Sequence, residues 1–281
     1  MLTMERKILL TDCHDETGII ANVTSICSKY RLNIVKNTEF VAHEQERFFM
    51  RTVLEGDFNS NFLSDVRAAL PEGASARLVS TAKKRLVVMV TKETHCLGDL
   101  LLKHYAQALN LEIVAVIGNY DVLRELTEKF NIPYHHVSHD GLTREEHCRR
   151  IMAVINEYNP DFIVLAKYMR ILTPEFIEAY PQKIINIHHS FLPAFIGAKP
   201  YEQAFNRGVK IIGATAHFVT EHLDEGPIIE QDVIKVDHNF SAEDMALAGR
   251  DIERLVLDHA LSYVLDNKVF IYGNKTVVFK N

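Results

Sequence analysis

The sequence predicts an α/β protein of two domains, a ferredoxin-like βαββαβ unit over residues 1–83 and a Rossmann-like doubly wound domain over 84–281. Three observations carry that prediction. The chain of 281 residues is longer than one ordinary domain. Its hydrophobic rhythm changes from a split β-α-β pattern to long alternation of apolar strands with amphipathic helices. Between the two lies a polar, basic stretch from Thr81 to Arg85, which marks a boundary.

In the first part, Lys7 to Thr11 reads as a strand, and Asp15-Glu16-Thr17-Gly18 as a turn that opens a helix. Ile19, Ile20, Val23, Ile26, Cys27 and Tyr30 then fall on one helical face. Asn33 to Val41 and Arg47 to Leu54 read as strands on either side of a polar turn. Phe58, Phe62, Val66, Ala69 and Leu70 form a second helical stripe, and Ala76 to Ser80 a last strand.

After the boundary, Leu86 to Val90 is a continuous apolar run, as a strand covered on both faces requires. A helix bearing Leu97, Leu100, Leu101, His104, Tyr105 and Ala108, a strand at Ile113 to Gly118, and a helix over 121–130 follow. Pro133 to Val137 reads as extended, Arg144 to Tyr158 as helical, and Phe162 to Leu165 and Ile184 to Ile187 as buried strands. Ala214 to Thr220 and Pro227 to Val236 read as an antiparallel extension, before a long helix from Ala242 to Leu265 and a β tail.

Composition narrows the function classes. Hydrophobic residues make up 47% and charged residues 24%, as in a globular protein with substantial cores. A net charge of -6 offers no electrostatic reason for nucleic-acid or membrane partners. The longest basic run, Lys83-Lys84-Arg85, reads as a solvated linker. There is no signal-peptide pattern and no apolar stretch near the roughly 20 residues that span a bilayer. Cys13, Cys27, Cys96 and Cys148 lack metal-knuckle spacing, so reduced thiols in a cytoplasmic protein are expected.

In an open α/β sheet, ligands bind beyond the carboxyl ends of the strands. The strand at Ile184 closes with Asn186-Ile187-His188-His189-Ser190. Asn186 and His188 are two apart, so both side chains leave an extended chain on the same face. An amide beside an imidazole suits attack on a carbonyl, with Asn186 steadying the oxyanion and His188 moving protons. The residues alone also allow two hydrogen-bonding groups at a strand end. Asp224 sits on a loop bounded by Gly226 and Pro227, where it is either a turn residue or a carboxylate that holds the imidazole in one tautomer. His188, His189, His217 and His222 share these loops without the spacing of a zinc site, so no metal is expected. His135, His136 and His139 read as solvated loop residues.

Asn186-Ile187-His188, Ser190, Leu192-Pro193, His217 and Leu223-Asp224-Glu225-Gly226-Pro227 together resemble the tetrahydrofolate-dependent formyltransferases, over about Arg85 to Val236. The resemblance implies Asn186, His188 and Asp224 as the catalytic trio. It also implies a folate pocket lined by Met169, Arg170 and Leu172, with Val219, Glu221 and Gly226 on the loop that holds the pteridine. Met169 and Leu172 would otherwise read as ordinary core.

Two activities compete within that family. Transfer to an amine such as glycinamide ribonucleotide uses a glycine-rich phosphate loop after the first strand. Here the stretch is Thr91-Lys92-Glu93-Thr94-His95-Cys96-Leu97-Gly98, with one late glycine and an acid that repels phosphate unless Lys92 offsets it. The phosphate grip is therefore expected to be lost, leaving water as nucleophile. Lys92 to Gly98, His188 to Phe195 and Gly197 to Tyr201 resemble the deformylase branch, which hydrolyses 10-formyltetrahydrofolate to tetrahydrofolate and formate. The resemblance implies formate for purine biosynthesis and a balance of one-carbon folate pools. Folate is then substrate and no separate cofactor is needed. His189, His95 and Lys199 are candidates for the acceptor-side pocket.

The N-terminal unit resembles an ACT domain. That implies an amino-acid effector, methionine or glycine, at Asp15, Gly18 and Ile19, and a homo-oligomer. The same turn reads equally as a plain helix start. A non-catalytic amino-acid sensor stands as a third reading, against which the full Asn186/His188/Asp224 set argues.

Overall fold

The computed structural model describes residues 5–194 and 199–280. The chain divides into two compact units. One runs to Ala82 and includes 266–270 and 277 onward; the other holds 83–265 and 271–276.

In the first unit the order is β1 (Glu5–His14), α1 (Ile19–Lys29), β2 (Asn33–Ala42), β3 (Arg47–Gly56), α2 (Phe62–Ala68) and β4 (Ser75–Ser80). The strands form an antiparallel sheet in the order β2-β3-β1-β4. Val23 and Cys27 of α1 and Phe62 and Val66 of α2 pack on Leu9, Met50 and Leu54 of the sheet. The two-residue strand period sends Phe49 and Arg51 to the opposite face from Met50. There Phe49 meets Phe270 edge-on at 5.6 Å, and the Arg51 guanidinium donates to the carbonyls of Asp266 and Asn267, each at 3.0 Å. This corrects the expected single domain over 84–281: residues 266–270 cover a buried sheet face of the first unit, which local patterning does not reveal.

The second unit continues with β5 (Lys84–Val90), α3 (His95–Ala106), β6 (Leu111–Gly118), α4 (Arg124–Glu128), β7 (Tyr134–His136), α5 (Arg144–Tyr158) and β8 (Phe162–Ala166). Then come α6 (Pro174–Ala179), β9 (Ile184–His188), α7 (Pro200–Arg207), β10 (Ile211–Phe218), β11 (Ile228–Lys235) and α8 (Ala242–Leu265). A hairpin of β12 (Val269–Tyr272) and β13 (Lys275–Val278) ends the order.

Seven strands form one sheet in the order β11-β10-β9-β8-β5-β6-β7. β5 to β9 are parallel, and β10 runs antiparallel to both β9 and β11. Leu86 to Val90 are all buried, because helices cover both faces. The chain moves outward from β5 through β6 to β7, then returns to place β8 on the other flank of β5. That reversal opens a crevice at the carboxyl ends of β5 and β8.

Several helices differ from expectation, among them α2, which begins at Phe62 and leaves Phe58 in the preceding loop. The helix over 121–130 narrows to Arg124–Glu128, since Leu123 and Thr127 alone face inward there. α6 and α7 are too short to show an apolar stripe, although Thr173 caps α6 by accepting from the Phe176 N–H with Pro174 at the first turn. Among the described residues no helix is long and apolar enough to cross a membrane.

Candidate active site

β9 and β10 pair so that Asn186 lies directly across from His217, and Thr215 from His188. The His217 Nδ1–H donates to the Phe218 carbonyl at 2.9 Å, which can only accept. Its Nε2 is then the acceptor, 3.2 Å from the Asn186 side-chain nitrogen. This chain of donors fixes the Asn186 amide with its NH₂ inward and a second N–H left for a ligand. Burial pushes the His217 imidazole down and keeps it neutral, as that role requires.

His188 is buried at the end of β9, with Nδ1 3.3 Å from Asp224 Oδ1. Its Nε2 is buried and has no hydrogen-bond partner among the described residues. Asp224 comes from the loop after β10, in a left-handed backbone conformation at φ 58. The loop can return this tightly because position 226 is glycine. A Cβ on Gly226 would overlap the Phe218 carbonyl oxygen, while Phe218 N–H donates to the Pro227 carbonyl at 2.9 Å. Burial alone would raise the Asp224 carboxyl, but the hydrogen bond from His188 and its electrostatic attraction outweigh it and hold the acid below its ordinary range. An anchored carboxylate, an imidazole with one free nitrogen and an inward amide can together activate water and stabilise an oxyanion.

These groups open on a cavity of about 350 Å³. Its far wall is the segment Met169 to Leu172, with Val219 and Glu221 on the Asp224 loop. The structure thus brings the expected trio together with Met169, Arg170, Leu172, Val219 and Glu221. Gly226 lies outside the cavity lining, and its place is explained by the close approach to Phe218.

A second cavity of about 540 Å³ meets the first at Lys167, Met169 and His189. His95, His189 and Lys199, the candidates for an acceptor side, all line it. Its inner wall is a buried acid, Glu253 of α8, which accepts from His95 Nε2 and Tyr201 Oη, each at 2.7 Å, and forms an ion pair with Lys167 Nζ at 3.1 Å. Burial pushes the His189 imidazole down to about 4, with the Lys167 ammonium adding to the effect. Glu93 is met by Arg250 at 3.8 Å rather than by Lys92, whose ammonium lies 4.0 Å from the Tyr120 ring centre.

Lys167 and Glu253 were not anticipated from sequence. Lys167 reads as a charge ending a strand. Glu253, however, falls on the buried stripe of α8 with Gly249, Val256, Leu257 and Ala260, and a lone acid on such a stripe is a usable signal.

Of the candidate effector residues, Asp15 and Gly18 lie on the turn before α1, whereas the Ile19 side chain is buried in the first unit's core. His135 and His139, expected as solvated, are partly buried; His135 Nε2 bonds Tyr158 Oη at 2.6 Å and His139 packs on Tyr120. Phe195, Gly197 and Ala198, from the stretches compared with deformylases, lie outside the described residues.

A family model described as formyl transferase matches residues 84–261. A formyltetrahydrofolate deformylase of Haemophilus influenzae is 60% identical over 276 residues, which cover 98% of this chain and 99% of that protein. The crystal structure of a formyltetrahydrofolate deformylase from Pseudomonas syringae pv. tomato is similar with a TM-score of 0.94 at 39% identity, covering 99% of this chain and 96% of that one. A glycinamide ribonucleotide transformylase from Symbiobacterium toebii has a TM-score of 0.68 at 26% identity, covering 74% of this chain and 99% of its own.

Proposed function

Since the chain belongs to the formyl transferase family, and to the formyltetrahydrofolate deformylases within it, we propose that it hydrolyses 10-formyltetrahydrofolate to tetrahydrofolate and formate. The observation that carries the mechanism is the free, buried His188 Nε2 at the wall of a largely apolar cavity. Asp224 holds the imidazole by Nδ1, so Nε2 takes a proton from water as the water oxygen bonds to the formyl carbon. The inward Asn186 N–H and the imidazolium stabilise the oxyanion. The carbon–N10 bond then breaks, His188 returns its proton to N10, and formic acid ionises to formate. Removal of such an acid–base group typically costs ~10²–10⁴ in rate.

Met169, Arg170, Leu172, Val219 and Glu221 are the proposed folate contacts, and the folate is consumed as substrate with no further cofactor. Transfer to an amine acceptor is the weaker reading, because the Thr91 to Gly98 loop lacks a glycine-rich phosphate nest and Glu253 already occupies three donors of the acceptor side. The first unit we read as an ACT-type regulatory module that takes an amino acid such as methionine or glycine and pairs in a homo-oligomer. Its βαββαβ order and its β2-β3-β1-β4 sheet support that reading.

The test is formate release from 10-formyltetrahydrofolate with and without glycinamide ribonucleotide. Release without acceptor is expected, and its loss in His188→Ala with folate binding retained. Turnover that requires the acceptor would overturn the hydrolytic reading.

A further inference from the structure

Hydrolysis makes two products of very different size at one buried point. Tetrahydrofolate is bulky and fills the first cavity, whereas formate is a one-carbon anion born beside His188 Nε2. An anion in a water-poor site is costly unless a cation meets it. His189 is neutral near pH 7, because its imidazole is held at about 4. The cation on the wall common to both cavities is Lys167.

Lys167 is built into place. It follows β8 directly, in a left-handed backbone conformation at φ 61 that is strained for a non-glycine residue. It is 8% exposed, and its ammonium forms an ion pair with Glu253 at 3.1 Å. Glu253 is itself steadied by His95 and Tyr201. Tyr201 reaches it by lying across α8 at Gly249, where a Cβ would overlap the phenol ring. The Tyr201 ring in turn lies 6.1 Å from that of His189, which lies 5.2 Å from His188. Beyond this threshold two of the acids lining the second cavity face cations, Glu93 with Arg250 at 3.8 Å and Glu202 with Lys199 at 2.8 Å, while Glu243 lines it as well.

We propose that Lys167, positioned by Glu253, is the subsite for the formate product, and that the second cavity is its way out while tetrahydrofolate still fills the first. The inference rests on the hydrolytic reading. A carboxylate handed from His188 to the Lys167 ammonium leaves on the side away from the pteridine, so the two products need not depart in order of size.

Sodium formate is the probe, measured as an inhibitor of turnover and as a ligand of the enzyme–tetrahydrofolate complex by saturation-transfer NMR. Formate is expected to inhibit noncompetitively against 10-formyltetrahydrofolate and to bind with tetrahydrofolate present. Lys167→Met should weaken formate at least tenfold, and Glu253→Gln, which leaves the ammonium uncompensated, should tighten it several-fold. Opposite shifts of this kind do not arise from general loosening. Should the single variants fold poorly, Lys167→Met/Glu253→Gln together leaves no unpaired buried ion and should lose the formate response. Formate that competes with the folate, or that responds in the same direction or not at all to the variants, overturns the proposal. Absence of acceptor-free turnover would sink the hydrolytic reading instead, and the NMR titration would still report on the subsite.

Discussion

Asp224 and Glu253 are both carboxylates taken out of water beside a histidine, yet they are held in different ways. Asp224 sits 9% exposed at its side chain on a loop, 3.3 Å from His188 and 3.9 Å from His217, and the other His188 nitrogen has no partner among the described residues. Glu253 sits 1% exposed in a long helix with donors at 2.7, 2.7 and 3.1 Å. The first arrangement leaves hydrogen-bonding capacity for a reacting group; the second uses it up. A buried acid met from three sides builds structure, and one held chiefly by a single imidazole at a cavity wall is ready for chemistry.

The comparison is open to direct attack. Asp224→Asn keeps the shape and removes the charge, so His188 loses its enforced tautomer and turnover should fall by ~10²–10⁴, with little change in melting temperature. A variant that keeps most of its activity would place Asp224 among ordinary turn residues. Glu253→Ala should show the converse emphasis. Stripping the acid leaves Lys167 buried and unpaired, a loss of about 3–5 kcal/mol that denaturant melts would register. If Asp224→Asn melts as much earlier as Glu253→Ala, the distinction between the two acids fails.

The smallest effect is in acid. The Glu253 carboxyl is held at about 2 against an ordinary 4.5: burial alone would raise it, but the His95 hydrogen bond, the Lys167 charge and the Tyr201 hydrogen bond outweigh that. A depressed carboxylate stabilises fully above pH 4.5, and that stability drains as the pH falls towards 2. His189, depressed to about 4 from 6.5, gives the same sign one stretch higher, with stability lost from pH 6.5 downwards. Melting temperature should therefore decline in two stages on acidification. Glu253→Gln should flatten the lower stage and leave the upper one. A single unaltered decline in that variant would contradict the assignment.

The sequence alone determined a good deal of this molecule. The βαββαβ order, the parallel run of buried strands and the long last helix follow from periodicities of 2 and 3.6 that a chain must show wherever one face is buried. Asn186 and His188 were legible for the same reason, since two residues apart on a strand means one face. Asp224 was legible as a loop carboxylate, although its approach to His188 depends on the tight return that Gly226 permits. What only the tertiary structure decided are the meetings between distant segments. Residues 266–270 close a sheet face begun by Phe49 and Arg51. Lys167, Glu253, His95 and Tyr201 come from four separate segments, and no local pattern records that they meet at Glu253. Periodicity reports which face is buried; it is silent on which partner is found there, because that is set by how the sheet and its helices pack.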